Sequence, residues 1–121
     1  IIEALSFESR LNIEYLERND IRIQELRCVG GGARTAAGLQ NKADILGMPV
    51  SSLRIREAAC LGAALSAGLC MKMYQSPEEA VQVVKVQEVY EPNVQKHKIY
   101  TDRFELYKKM YPLFGKMNRM L

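Results

Sequence analysis

Three consecutive glycines, Gly30 to Gly32, stand where an apolar segment ends and a helical pattern begins. Glycine tolerates positive φ angles and leaves the backbone uncovered, so a ligand can approach the main chain closely. Amide groups at the start of a helix point outward and favour anionic or hydrogen-bond-accepting ligands. The same spacing also suits a tight strand-to-helix turn that binds nothing, and both interpretations stay open on spacing alone.

The glycine segment matches neither of the two common phosphate-binding fingerprints. In the dinucleotide pattern G-x-G-x-x-G, counted from Gly30 and Gly32, Thr35 stands in place of the third glycine. The acidic residue expected about twenty positions later is also missing, because that region reads SSLRIR. The Gly-Lys-Ser/Thr ending of a Walker loop is absent too. If a nucleotide binds here, we expect the glycines to contact its base and sugar.

The rest of the chain presents no catalytic set of residues. His97 is the single histidine and lies in a polar stretch between lysines, so we expect it at the surface. We expect Asp44 to face solvent or to cap a local group. Glu57 should lie in the first turn of a helix, where a carboxylate favours the helix dipole. Two isolated carboxylates make no general acid–base pair, so we predict neither catalytic residues nor metal ligands.

Composition limits the class of protein and of partner. The 121 residues suit one domain or part of one, and a net charge of +3 is too small for a nucleic-acid-binding signature. The apolar segment after Glu57 is shorter than the roughly twenty residues that span a bilayer. We therefore expect neither a nucleic acid nor a membrane as partner. The widely spaced cysteines favour a reduced, cytoplasmic protein. They are Cys28, Cys60 and Cys70.

Periodicity predicts an α/β arrangement in the order helix, strand, helix, strand, helix, with a helical C-terminal tail. The predicted elements are a helix over 1–20, strand over 21–29, helix over 34–47, strand over 50–54, helix over 56–73, short helix over 76–84, edge strand over 85–92, and tail helix from 93 to roughly 116. Gly47 is expected to cap the second helix and Ser76 the short one. Two main strands are few for a sheet, and the chain begins with Ile1. We therefore expect neighbouring strands in a longer protein.

Three helices carry packing predictions. In the first, we expect Leu5, Ile13 and Leu16 to share the buried face and Arg10 to lie in water. The alanine- and glycine-rich helix after Glu57 should pack closely against the sheet. The tail helix carries aromatic residues at helical spacing, expected in the core or, if exposed, as a partner-binding face. They are Tyr100, Phe104, Tyr107, Tyr111 and Phe114.

Two segments, CVGGGARTAAGLQNKADILGMPV and REAACLGAALSAGL, resemble the C-terminal end of the FGGY carbohydrate kinases. The similarity continues through VYEPNVQKHKIYTDRFELYKKMYP, reaches back to EALSFESRLNIEYL and covers essentially the whole chain. It implies that residues 1–121 are the C-terminal part of the nucleotide-binding lobe of an actin-like, ribonuclease-H-like ATPase, without the N-terminal lobe. It also implies phosphoryl transfer from ATP to a sugar or polyol hydroxyl. Mg²⁺, the catalytic aspartate and the sugar site would be held mainly by residues outside this chain.

The resemblance also assigns a nucleotide site. Gly30, Gly31, Gly32 and Ala33 match the segment of the family that lies against the adenosine. Ala36 stands where glycerol kinases place an asparagine that helps to hold the adenine, which favours a xylulokinase-like member. The implied ligands are ATP or ADP and a sugar or polyol.

Two further expectations concern the chain by itself. We expect it to be inactive alone and to pair as a homodimer through an edge strand or the aromatic helix. The alternative function is a non-catalytic nucleotide-binding or interaction module that reuses this part of the lobe.

Overall fold

The computed structural model of this chain describes residues 2–55 and 57–118. The elements are α1 (Ile2–Glu17), β1 (Leu26–Cys28), α2 (Ala36–Leu46), β2 (Val50–Leu53), α3 (Ala58–Cys70), α4 (Pro77–Ala80), β3 (Val86–Tyr90) and α5 (Val94–Asn118). Short 3₁₀ turns occupy Gly30–Ala33 and Val81–Val83. The predicted order of helices and strands, with a helical tail, is confirmed.

The three strands form one sheet in the order β1-β2-β3. β1 and β2 run parallel. β3 lies at the edge of this sheet, as predicted, and runs antiparallel to β2. The first strand is shorter than the predicted range 21–29. It pairs with β2 only over Leu26–Cys28, opposite Val50–Ser52.

The core lies on two sides of α2. One cluster joins α2 to the sheet and to α1; its buried members are Ile13, Cys28, Ala33, Leu39, Ala43, Leu46 and Val50. The other joins α2 to α1 and α5 through Phe7, Ile45 and Phe104. Since α2 contributes to both clusters, the packing of the core determines its position.

The buried face of α1 differs from the predicted one. Leu5 and Leu16 expose 66% and 40% of their surface, so the prediction is wrong for both. The buried side chains of this helix are Ser6, Phe7 and Ile13.

Arg10 lies on that inner side, which also contradicts the prediction. Its Nη1 donates to the carbonyl of Ile45 at 3.0 Å, and its Nη2 to Thr101 Oγ1 at 3.2 Å. The guanidinium carbon lies 4.5 Å from the centre of the Phe104 ring. Burial lowers the pKa of Arg10, against the opposing effect of Glu14 and Glu105. Acceptors on α2 and α5 take hydrogen bonds from the guanidinium group. The periodicity of α1 alone cannot predict these acceptors, because they belong to other helices.

Helix α3 does not pack against the sheet as predicted. Its main contact is α4, and Gly68 is its one buried residue. The ring of Tyr74 packs against Gly68, and its Cε2 lies 2.7 Å from the position that a Cβ on Gly68 would take. Small residues permit close packing but supply little contact area of their own, so the apolar surface of α3 faces outward. Within the described ranges, no helix is long and apolar enough to cross a bilayer.

The aromatic residues of α5 form part of the core. Phe104 is fully buried, and the ring centres of Phe104 and Tyr107 lie 5.8 and 5.3 Å from that of Phe7. Burial raises the pKa of Tyr100, and its hydrogen bond to Glu3 acts in the same direction. The core prediction is confirmed for these residues. The side chains of Tyr111 and Phe114 lie outside the described part of the chain.

Candidate functional site

The three glycines form a 3₁₀ turn with Ala33, and we call Gly30–Ala33 the glycine turn. Gly30 has a φ of +66°, a conformation that L side chains rarely adopt. The N–H of Arg34 donates to the Gly31 carbonyl at 3.4 Å and closes the turn. The local conformation therefore requires glycine at position 30, independently of any ligand.

The glycine turn is uncovered on the side where side chains would project. A Cβ on Gly30 or Gly31 would meet nothing within 4 Å. A Cβ on Gly32 would meet only the Nζ of Lys42, at 4.0 Å. Packing therefore does not explain the glycines at positions 31 and 32, whereas close approach of a ligand to the backbone would.

Residues on either side anchor the glycine turn. Ala33 is 4% exposed and packs in the core, so its side chain holds the turn against α2. Thr35 caps α2, with its Oγ1 accepting from the Gly38 N–H at 3.2 Å. Ala36 is the exposed first residue of α2. Contact of a nucleotide with Gly30, Gly31, Gly32, Ala33 and Ala36 stays a prediction.

The turn lies at the carboxyl end of β1, where the parallel strand β2 also ends. Ligands of open α/β sheets bind at this edge of the strands. Arg54 follows β2 there and, with Lys85, Val86 and Gln87, lines an open cleft of about 580 Å³. The strand order therefore brings the glycine turn and this polar cleft to the same edge of the sheet.

Sequence reasoning did not single out Lys42, which is half-buried on α2 with its ammonium beside Gly32. The available signal was helical spacing. Lys42 comes seven positions after the cap residue Thr35, which places both residues on one face of the helix. Only the structure shows that the 3₁₀ turn brings Gly32 close to the ammonium group of Lys42.

Asp44 lies near the other end of α2 and is buried. The first of its two predicted roles, a side chain facing solvent, is therefore wrong. Its Oδ1 accepts from the Asn93 N–H at 2.9 Å and from Gln40 Nε2 at 2.8 Å. Its Oδ2 lies 3.6 Å from Lys96 Nζ. Asn93 caps α5 by accepting from the Lys96 N–H at 3.0 Å. Asp44 in turn holds Asn93, which lies 49 positions away in the sequence, against α2.

His97 is half-buried, which corrects the expectation of a surface residue. Its Nδ1 lies 2.9 Å from the Asp44 carbonyl oxygen, and since a carbonyl only accepts, Nδ1 donates. The imidazole packs against Gly47, which ends α2 with a φ of +72°, as its predicted capping role requires. Asp44 and His97 together join α2 to α5, and neither lies at the glycine turn.

Other candidate groups lie outside this site. Glu57 is the residue before α3, and its carbonyl accepts from the Leu61 N–H at 3.0 Å. It therefore lies one position before the first turn in which it was predicted, and its side chain makes no capping hydrogen bond. Among residues 2–55 and 57–118, no three histidine, cysteine or acidic side chains cluster closely enough to hold a metal ion. Cys28 is buried, Cys60 and Cys70 are exposed, and all three are free thiols.

Known proteins show clear similarity to this chain. Residues 1–71 match the sequence model of the FGGY family of carbohydrate kinases, C-terminal domain. A xylulose kinase of Staphylococcus epidermidis is 29% identical over 112 residues, which cover 92% of this chain and 23% of that protein. Glycerol kinase 2 of Thermotoga maritima is 31% identical over 110 residues, which cover 90% of this chain and 21% of that protein.

Solved structures show the same fold. Ligand-bound xylulose kinase from Lactobacillus acidophilus superposes with a TM-score of 0.85 at 22% identity, covering 95% of this chain and 24% of that one. Plasmodium falciparum glycerol kinase, solved with ADP, gives a TM-score of 0.71 at 22% identity, covering 90% and 22%. This chain thus spans about a quarter of the length of the kinases it matches.

These likenesses confirm the predicted fold, which is part of the C-terminal lobe of the actin-like ATPase fold. The sequence model accounts for more than half of the residues, and the matched segment contains the glycine turn and all of α2. The chain belongs to the FGGY family of carbohydrate kinases.

Proposed function

We propose that this chain supplies the adenosine-binding face of an ATP-dependent sugar or polyol kinase, as the C-terminal part of its nucleotide-binding lobe. Membership of the family supports the proposal, and so does the placement of the glycine turn at the carboxyl edge of the parallel strands. The single observation that carries it is the open space over Gly30 and Gly31. An uncovered backbone of this kind suits close approach of the planar base and of the ribose attached to it.

In the proposed reaction, the γ-phosphoryl group of ATP passes to a hydroxyl of the sugar, and Mg²⁺ offsets charge on the phosphates. The part of this chain is binding and orientation. The backbone of Gly30–Gly32 and the exposed residue Ala36 would lie against the adenosine, while Ala33 holds the turn in place from the core. We propose that the metal ligands, the catalytic aspartate and the sugar site belong to residues outside this chain. The chain alone then transfers no phosphate and binds nucleotide weakly.

For the acceptor we propose a xylulose-like sugar in preference to glycerol. Xylulose and glycerol kinases match this chain at 29% and 31% identity, so overall similarity does not separate them. The support for a xylulose-like acceptor is Ala36, because the resemblance places it at a position where glycerol kinases have an asparagine. The segments ACLGAALSAG and VYEPN point in the same direction. We further propose a cytoplasmic location, no nucleic-acid or membrane partner, and self-pairing of the chain through its edge strand or α5.

The proposal is tested by titrating the isotope-labelled chain with adenosine and with ADP while amide resonances are followed by NMR. We expect both ligands to shift the amides of Gly30–Gly32 and Ala36, with weak affinity. Gly31→Val should abolish these shifts because its side chain fills the open space. The matched control is Gly62→Val, since a Cβ on Gly62 also meets nothing within 4 Å but lies on α3.

Two results would contradict the proposal. One is adenosine that leaves the glycine turn unperturbed, or that binds Gly31→Val as well as the unmodified chain. The other is formation of ADP when the chain alone is mixed with ATP, Mg²⁺ and a pentose, since the acceptor site is proposed to lie elsewhere. A non-catalytic binding module would give the same adenosine shifts. Sequencing the gene upstream of the codon for Ile1 separates the two alternatives, because a kinase requires that the reading frame continue into its other lobe.

A further inference from the structure

The ammonium group of Lys42 lies at the open side of the glycine turn. Its Nζ is 4.0 Å from the position of a Cβ on Gly32. For Gly30 and Gly31, no such neighbour lies within 4 Å among the residues that the structure describes. Lys42 is half-buried on α2, so helix and turn together limit where its side chain can go. The side chain thus reaches the surface that the proposed nucleotide would occupy.

Lys42 forms no ion pair or hydrogen bond with any residue in the described ranges 2–55 and 57–118. Two lysines of α5 are paired: Lys96 lies 3.6 Å from Asp44, and Lys108 lies 2.6 Å from Glu105. The acid nearest to Lys42 along α2 is Asp44, whose two oxygens already serve Asn93 and Lys96. The ammonium group of Lys42 therefore lies beside uncovered backbone without an acidic partner among the described residues.

We infer that Lys42 contacts a phosphate group of the bound nucleotide, so that the glycine turn distinguishes a phosphorylated nucleotide from a nucleoside. This inference rests on the proposed function. An ammonium group has three donors, no acceptor and a full charge, and of the parts of a nucleotide only the phosphates are anionic. If the turn contacts the adenosine, the phosphate attached to its ribose is the one within reach. AMP is therefore the smallest ligand that contains every group the inference needs.

The experiment compares the affinities of AMP, adenosine and inorganic phosphate for the full 121-residue chain at low salt, by NMR titration. We expect Lys42→Gln to lower the AMP affinity about three- to fivefold and to leave the adenosine affinity unchanged, as for one partly exposed ionic contact. Lys42→Arg should keep most of the preference for AMP. Higher salt should reduce the difference between AMP and adenosine, because mobile ions screen exposed charges.

The control variant is Lys98→Gln, which removes the same charge from an exposed position on α5. It should change neither affinity. A loss of AMP affinity equal to that of Lys42→Gln would mean that net charge alone acts, and would overturn the inference.

The outcomes separate the inference from the proposed function. If Lys42→Gln weakens adenosine and AMP equally, or weakens neither, the role of Lys42 is overturned while the adenosine site stands. If adenosine leaves the unmodified chain unperturbed, the proposed function itself fails. If inorganic phosphate binds beside Lys42 as tightly as AMP, the site takes phosphate without the nucleoside, and the inference is likewise overturned.

Discussion

The two ends of α2 use glycine in opposite ways. Gly30 and Gly47 both have left-handed backbones, with φ of +66° and +72°. A Cβ on Gly30 would meet open space, whereas one on Gly47 would lie 2.4 Å from His97 Cε1. A positive φ therefore explains both glycines locally, but packing adds a second requirement at one end only. The crowded end joins helices together, and the open end leaves backbone free for a ligand.

The largest effect should follow from Gly47→Ala at the crowded end. The left-handed conformation costs an L residue about 1–2 kcal/mol, and overlap with the imidazole of His97 adds about 1–3 kcal/mol. We expect the free energy of unfolding, measured in urea, to fall by about 3 kcal/mol. In a His97→Ala background, Gly47→Ala should cost only its conformational part. An equal cost in both backgrounds would show that the ring does not crowd position 47.

A smaller loss is expected from Asp44→Ala, which removes the acceptor that holds Asn93, the cap residue of α5, against α2. The Asn93 N–H would lose its acceptor, and Gln40 Nε2 would keep only the Glu91 carbonyl. We expect this loss beside a buried position to cost about 2 kcal/mol. The midpoint of urea unfolding measures this loss. Asp102→Ala, an exposed position on α5, is the control and should change stability by less than about 0.5 kcal/mol. If both variants cost the same, Asp44 does not hold the crowded end together.

Gly30→Ala tests the open end, where conformation acts without crowding. The added methyl group meets no neighbour within 4 Å, so only the left-handed backbone opposes it. We expect a loss of about 1 kcal/mol in the free energy of unfolding, clearly less than for Gly47→Ala. Thermal and urea unfolding should agree on this order. A loss as large as at position 47 would mean that the two ends of α2 do not differ as described.

Gly31→Ala should have the smallest effect on stability. Its backbone is not left-handed and the space around it is open, so the free energy of unfolding should change by less than about 0.5 kcal/mol. Adenosine affinity should nevertheless fall, since the methyl group occupies the surface proposed for the nucleoside. A stability loss above about 1 kcal/mol with unchanged adenosine binding would make this a packing glycine.

The residues predicted well from sequence are those whose partners lie within about four positions, as in helix capping. Gly47 ends α2 by donating its N–H to Ala43 O at 2.8 Å. Ser76 caps α4 by accepting from the Glu79 N–H at 3.3 Å. The glycine turn also follows from adjacent residues, and its mismatch with two phosphate fingerprints was visible in the sequence. Family membership followed from these same segments.

The residues predicted badly depend on partners far away in the chain. Arg10 was placed in water, yet its partners Ile45 and Thr101 are 35 and 91 positions away. Leu5 was placed inside because it is apolar, but the inner side of α1 is set by where α2 and α5 lie. The outward position of α3 likewise depends on what surrounds it, and no pattern within the helix records that.

The sequence by itself determined the order of elements, the ability of Gly30 and Gly47 to take positive φ, and the family. These follow from neighbouring residues and their periodicity. Only the tertiary structure decided that one end of α2 is crowded by His97 and held by Asp44 to a helix 49 residues away. It alone placed the charge of Lys42 beside Gly32. The physical reason is that contacts between distant segments depend on how whole helices pack, and a local pattern is compatible with many such packings.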